Sequence, residues 1–238
     1  MCGRYALTLP PDAMRAVFGY VEHPNFPPRF NIAPTQPVPI IREGADGQRH
    51  FVLVRWGLVP DWAQEVGTKP LFNARGETVA QKPSFRSAFK RRRCLVPADG
   101  FYEWKAQATG TRQPHLIRRR DRGVMAFAGI WEHWQSAEGS ELESCTEANA
   151  ALADLHHRMP VILNESSWDT WLDTTETRTA DALSLIAPAA DDLLEVQPVS
   201  RRANAVANDD AGIQEPVSAD DDEADAEPAK TAAQMSLF

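Results

Sequence analysis

Apolar and polar positions alternate over short distances along most of the chain, which predicts many short strands and few helices. Residues 4–8 read as a short strand, and Pro10-Pro11-Asp12 then opens a helix that runs through Phe18 and stops at Gly19. A proline-rich loop at 24–28 leads into Arg29-Phe30-Asn31-Ile32-Ala33-Pro34. Residues 38–42 and 51–56 are apolar and β-branched, and Asp46-Gly47 between them predicts a hairpin. The irregular stretch 57–70 carries Pro60-Asp61-Trp62, and a polar, partly helical stretch runs from Asn73 to Phe89. Strands are predicted at 93–97, 101–106, 115–119 and 124–134. Residues 146–152, Thr-Glu-Ala-Asn-Ala-Ala-Leu, are strongly helix-forming and predict a helix. A short strand follows at 161–163. Asn164 or Ser166 is placed to cap a helix with Trp168, Trp171 and Leu172 on its inner face. A last helix at 180–186 and a strand at 194–199 close the pattern. Strands in runs, with the helices set apart from them, indicate an α+β fold of mainly antiparallel strands.

Composition divides the 238 residues unevenly. The net charge is −8, yet nine of the 33 acids and only one of the 25 Lys and Arg residues, Lys230, lie from Asp209 onward. Residues 1–208 therefore hold 24 of each sign and are neutral. The expected organisation is a folded domain over 1–208, a disordered acidic linker over 209–233 with almost no large apolar side chains, and a terminal motif over 234–238. Within the neutral part, bases cluster at Arg86-Lys90-Arg91-Arg92-Arg93 and at Arg112-Arg118-Arg119-Arg120-Arg122. Local charge of this kind draws a polyanion whatever the net charge. The second cluster also fits solvated strand ends and turns. The three cysteines, Cys2, Cys94 and Cys145, have no metal-ligand spacing, so no metal and no disulfide framework are expected. No apolar run is long enough to span a membrane, and no signal peptide is apparent. These features predict a cytoplasmic protein.

Met1-Cys2 carries the most distinctive chemistry. Removal of Met1 leaves Cys2 as the first residue, a 1,2-aminothiol with an amine of pKa about 7.7–8.0 beside a thiol of about 8.5. Such a group condenses with an aldehyde through an imine, on which the sulfur closes to a five-membered thiazolidine. Alternatively the amine serves as base for its own thiol, as in peptidases with an N-terminal nucleophile.

The chain resembles the SRAP (SOS response-associated peptidase) family, whose members crosslink to abasic sites in single-stranded DNA. The resemblance rests on Met1-Cys2-Gly3-Arg4, Asn31-Ile32-Ala33-Pro34, Arg55-Trp56-Gly57-Leu58, Asn73-Ala74-Arg75, Arg93-Cys94, Ala98-Asp99-Gly100-Phe101-Tyr102-Glu103-Trp104, His156 with Arg158-Met159-Pro160, and Val199-Ser200. These blocks occur in the family's order and span about residues 1–208. The resemblance implies a barrel-like β core with flanking helices and needs no cofactor. It implies that Cys2 supplies the amine and the thiol, that Glu103 moves protons, that Asn73 holds the sugar or the amine, and that His156 rather than His157 orients the developing imine. In a strand, Glu103 points opposite to Tyr102 and Trp104, giving one polar and one aromatic face. For Asn73 the competing reading is a helix N-cap.

Arg4, Arg75 and Arg86 are the candidates for DNA phosphates, with Lys82 able to replace Arg86. Trp62, Trp104 and Pro34 offer flat faces to unstacked bases, as single strands are held without sequence preference. Trp62 also fits as a cover over the core, and Trp56, Trp131, Trp168 and Trp171 are expected inside it. Two departures from the family's pattern stand out. Glu143-Ser144-Cys145 runs almost directly into the predicted 146–152 helix, as if a strand were shortened to 142–145 or the site weakened. Ala207 stands where a basic residue is common. The end of the chain, Gln234-Met235-Ser236-Leu237-Phe238, resembles the bacterial sliding-clamp-binding motif, with Gln234, Leu237 and Phe238 as its contacts. A linker of about 25 residues reaches roughly 25–30 Å, enough to tether the domain beside a clamp. The expected function is covalent capping of abasic sites by a monomer at the nucleoid or replication fork. A cysteine peptidase and a non-catalytic single-stranded DNA-binding module are the alternatives.

Overall fold

A barrel closed by one long strand dominates the structure. The computed structural model describes residues 2–107, 110–151, 158–175, 179–190 and 192–217. The strands are β1 (Tyr5–Leu7), β2 (Arg29–Ile32), β3 (Pro37–Glu43), β4 (Arg49–Trp56), β5 (Asn73–Arg75), β6 (Arg93–Ala98), β7 (Gly100–Ala106), β8 (Arg112–Arg119), β9 (Met125–Gln135), β10 (Glu141–Ala151), β11 (Arg158–Pro160) and β12 (Leu194–Pro198). The helices are α1 (Pro11–Phe18), α2 (Arg86–Arg91), α3 (Trp168–Leu172) and α4 (Thr179–Ser184). One sheet runs β12-β8-β7-β1-β2. The other runs β11-β10-β4-β3-β6-β9, and because β10 also pairs with β9, the strands β10, β4, β3, β6 and β9 close into a five-stranded barrel. The α+β, barrel-like expectation holds.

Local signals that rest on backbone chemistry match the structure. α1 begins with proline in its first turn and ends at Gly19, whose φ of 70° is the left-handed conformation a C-cap needs. The β3–β4 hairpin turns at Gly47, with φ of 73°.

Residues 146–152 overturn the helix expectation. Glu141–Ala151 is one strand, paired antiparallel with β9 over seven residues, parallel with β4 and β5, and antiparallel with β11. Helix propensity is a weak local preference, and pairing on both edges outweighs it. The strand before residue 146 is therefore not shortened, and the departure inferred there disappears. At the strand expected over 161–163, Ile162 bridges Phe127 antiparallel, and a further strand, β11, lies just before it at Arg158–Pro160. Small side chains along β10 and β9 suit a narrow barrel, whose diameter falls with strand number. At Gly129 a Cβ would sit 2.8 Å from both Cys94 Sγ and Val96 Cγ2.

β1 belongs to the open sheet, but its Tyr5 packs edge-on against Trp56 at 5.1 Å and Phe127 at 6.1 Å on the barrel side. Asp99, between β6 and β7, fixes the residues after β1 by accepting hydrogen bonds from the Thr8 N–H and hydroxyl and the Leu9 N–H. The start of the chain is thus pinned between sheet and barrel.

Two expectations about charge and boundaries change. Arg93, taken as part of a phosphate-binding cluster, is buried and donates to the carbonyls of Trp171, Phe89 and Asp173. Arg92 of the same cluster pairs with Glu132. In the second cluster, Arg118 and Arg122 pair with Glu195 and Arg119 with Asp121, which fits strand ends and a turn. The folded part also extends past Asn208. Asp209 accepts from the Phe30 and Asn31 N–H groups and pairs with Arg29, and Ile213 in a short 3₁₀ turn is fully buried. Residues 209–217 therefore strap the domain, contrary to the disorder expected there. Residues 218–238, including Gln234, Leu237 and Phe238, lie outside the described residues.

Candidate active site around Cys2

Cys2, three residues ahead of β1, is fully buried. Its carbonyl accepts a hydrogen bond from Asn73 Nδ2 at 2.7 Å, and its thiol lies 3.5 Å from the Arg4 carbonyl, to which it donates. Asn73 opens β5, not a helix, so the N-cap reading falls away. β5 runs parallel to β10 with Asn73 opposite Glu147 and Arg75 opposite Asn149. Asn73 Oδ1 accepts from Asn149 Nδ2 at 2.8 Å, and Arg158 Nη1 donates to Asn149 Oδ1 at 3.3 Å and to Glu77 at 3.1 Å. A polar relay thus runs from the surface pair Arg158–Glu77 to the backbone of Cys2.

Glu103 reaches the same place from the opposite sheet. In β7, Tyr102 and Trp104 turn to a small second core with Val199, Ala203 and Ile213, while Glu103 is buried on the other face. Burial raises the Glu103 carboxyl above its ordinary range, and the positive amino terminus opposes that shift. Burial also pushes the Cys2 thiol well up, helped by the charges of Glu147 and Glu103. A carboxyl raised by burial, facing the amino terminus and a buried un-ionised thiol, is suited to moving protons during carbonyl condensation.

Cys2, Asn73 and Glu103 therefore converge. His156 lies outside the described residues; on either side of it, Ala151 and Arg158 are partners in the β10–β11 ladder. Two polar groups at the site, Glu147 and Asn149, escaped the sequence reading. On the expected helix they would project about 200° apart, whereas in a strand they share a face.

The residues expected to meet DNA separate into two groups. Trp62 is 62% exposed and lines an open cleft of about 700 Å³ with Pro83, Arg86, Lys90 and Arg91. Its indole donates to the Pro83 carbonyl at 3.3 Å, and the side chain stands out from the core rather than covering it. Arg75 is exposed at the end of β5, and Pro34 is half-buried in the turn before Thr35. Arg4 and Trp104, in contrast, are packed together. The Arg4 guanidinium lies 5.6 Å from the indole centroid and donates to Asn31 Oδ1 at 2.7 Å and the Ala203 carbonyl at 3.0 Å. Trp104 Nε1 donates to Asn204 at 2.7 Å. Among the tryptophans assigned to the core, Trp56, Trp168 and Trp171 are buried, while Trp131 is half-buried beneath the Arg42 guanidinium, 4.0 Å from its ring centroid.

Among the described residues, no helix is long and apolar enough to cross a membrane, and no three His, Cys, Asp or Glu side chains group to hold a metal ion.

The chain is similar to proteins of known sequence and structure across most of its length. It is 36% identical over 218 residues to abasic site processing protein YoqW of Bacillus subtilis, covering 87% of this chain and 96% of the relative. It is 31% identical over 258 residues to abasic site processing protein HMCES of Rattus norvegicus, covering 86% of this chain and 72% of the relative. A crystal structure of a protein from Bacteroides thetaiotaomicron superposes with a TM-score of 0.79 at 21% identity, over 91% of this chain and all of the other. The model of the SOS response associated peptidase (SRAP) family matches residues 1–206, and the chain belongs to that family.

Proposed function

We propose that this protein recognises abasic sites in single-stranded DNA and caps them covalently through Cys2, once Met1 has been removed. The observation that carries the reading is the convergence of Asn73 and Glu103 on Cys2, the one residue able to present an amine and a thiol on adjacent carbons. The names of the relatives at 31–36% identity support the substrate.

The amine of Cys2 adds to the aldehyde carbon of the ring-opened sugar. Glu103 gives a proton to the departing hydroxyl, and the resulting water leaves an imine. The thiol then adds across the C=N bond, with its S–H proton passing to nitrogen, and a thiazolidine results. Asn73 fixes the Cys2 carbonyl and so the direction of the amine, and His156 stabilises the sugar oxygen or imine. Trp62, with Pro34 and Trp104, stacks bases, and Arg75, Arg86 and Arg4 attract the backbone. The terminal Gln234, Leu237 and Phe238 dock on a sliding clamp, bringing the domain to replication sites in the DNA damage response.

Intact-mass spectrometry tests the capture. The protein should lack Met1 and gain the mass of an abasic oligonucleotide less one water, and Cys2→Ala should give no adduct. Cys2→Ser retains the amine, so it should form an imine that borohydride traps but no stable ring. A stable adduct in Cys2→Ser would rule out ring closure through sulfur. The un-ionised thiol disfavours the peptidase alternative, which calls for a thiolate.

A further inference from the structure

The grip of Asn73 on Cys2 depends on which way its amide faces. An asparagine amide carries an acceptor on one side and donors on the other, and half a turn exchanges them with hardly any change of shape. Asn73 gives its Nδ2 to the Cys2 carbonyl at 2.7 Å. Turned over, it would set its own oxygen against that carbonyl, and two acceptors repel.

β10 lies between β5 and β11, with Asn149 opposite Arg75 on one edge and Pro160 on the other. Alternate residues of a strand share a face, so Asn73, Asn149 and Arg158 point to the same side of the three strands. Asn149 is fully buried and uses both ends of its amide on these neighbours. Its Nδ2 donates to Asn73 Oδ1 at 2.8 Å, and its Oδ1 accepts from Arg158 Nη1 at 3.3 Å. The two ends of the row allow one polarity only, because a guanidinium has donors and no acceptor while the Cys2 carbonyl is an acceptor and no donor. Arg158 turns the Asn149 oxygen towards itself, which aims Nδ2 at Asn73. Asn73 must answer with its oxygen, and its own Nδ2 is left for Cys2. Arg158 in turn is steadied by Glu77 at 3.1 Å.

We propose that Asn149 is a positioning residue that acts through Asn73: it locks the Asn73 amide in the orientation that holds the Cys2 carbonyl, and so fixes the direction of the N-terminal amine. The meaning of this for the reaction rests on the proposed capture of an aldehyde by that amine. Without the lock Asn73 is free to turn over, the carbonyl loses its donor, and the amine no longer meets the aldehyde carbon from one direction.

Labelling the full chain with ¹³C at the cysteine carbonyls tests the lock by NMR without DNA. The Cys2 signal, assigned by its loss in Cys2→Ala, should move in Asn73→Ala, where the carbonyl has lost its donor. Asn149→Ala should move it the same way. So should Asn149→Asp, which keeps the size of the side chain and an acceptor for Arg158 but, when ionised, has no donor for Asn73. A Cys2 signal that stayed in place in either Asn149 variant would overturn the proposal. With abasic single-stranded DNA, Asn149→Ala should form the adduct roughly three- to tenfold more slowly at saturation, the loss expected for one neutral hydrogen bond, with the half-saturating DNA concentration unchanged. Added to Asn73→Ala, the same substitution should slow the reaction no further. A second fall of that size in the double variant would mean that Asn149 only supports the fold, and would also overturn the proposal. If the unsubstituted protein captured no aldehyde, the function proposed above would fall while the carbonyl signals still reported the lock.

Discussion

His50 is gripped from two sides, with Nδ1 2.7 Å from Glu22 and Nε2 3.0 Å from Asp46. The Asp46 and Glu22 hydrogen bonds raise the imidazole above its ordinary value of 6.5. In return the His50 contact lowers Asp46, and Glu22 is lowered by the Phe51 N–H and His50 against the effect of its own slight burial. The raised imidazole stabilises the fold fully below its unfolded pKa, and this contribution disappears as pH rises through the folded one. The lowered carboxylates contribute above their unfolded values and lose that contribution as pH falls through their folded ones. The clasp therefore works in mildly acidic solution. His50→Gln should lower the melting temperature slightly near pH 6 and leave it unchanged near pH 9, as followed by circular dichroism. A gap in melting temperature that stayed constant across that range would contradict the ion-pair account.

At the scale of elements, β10 carries the site. Its eleven residues join the barrel, β5 and β11; its register sets Glu147 opposite Asn73, and the Asn149 amide bonds the Asn73 side chain. Gly129, opposite Glu147 on β9, is packed tightly against β6, where a Cβ would meet Cys94 and Val96. Gly129→Ala should cost about 1–3 kcal/mol in urea unfolding, the usual range for overpacking a filled core. A neutral result would mean that Cys94 and Val96 have room to move. β10 also explains what the sequence could and could not reveal. α1 and the β3–β4 hairpin are written in local signals, proline at a first turn and glycine at positive φ. The residues 144–150 are buried on both faces, which removes the polar–apolar alternation that marks a strand, and their small side chains score as helix formers. Cys2, Asn73 and Glu103 were legible because their blocks resemble a family. Glu147 and Asn149 were hidden by the same misread element, since only a strand aligns them.

For the whole molecule, the decisive feature is the strap. Asn31 is fully buried; its Oδ1 takes the Arg4 guanidinium, while its Nδ2 donates to the carbonyls of Asn208 and Ala205. A chain ended after Asn208 loses the Asp209 hydrogen bonds and the buried Ile213, and should be less stable by about 2–4 kcal/mol. A chain ended after Val217 should melt like the full chain yet lose binding to a purified sliding clamp. Equal stability of the two truncations would show the strap to be dispensable. The same asparagine joins the beginning of the polypeptide to a segment made some 200 residues later. At 5–20 residues per second, the ribosome needs about 10–40 s to supply that segment. During that interval the Arg4–Asn31 contact lacks its last support, so the fold closes over Cys2 only late in synthesis.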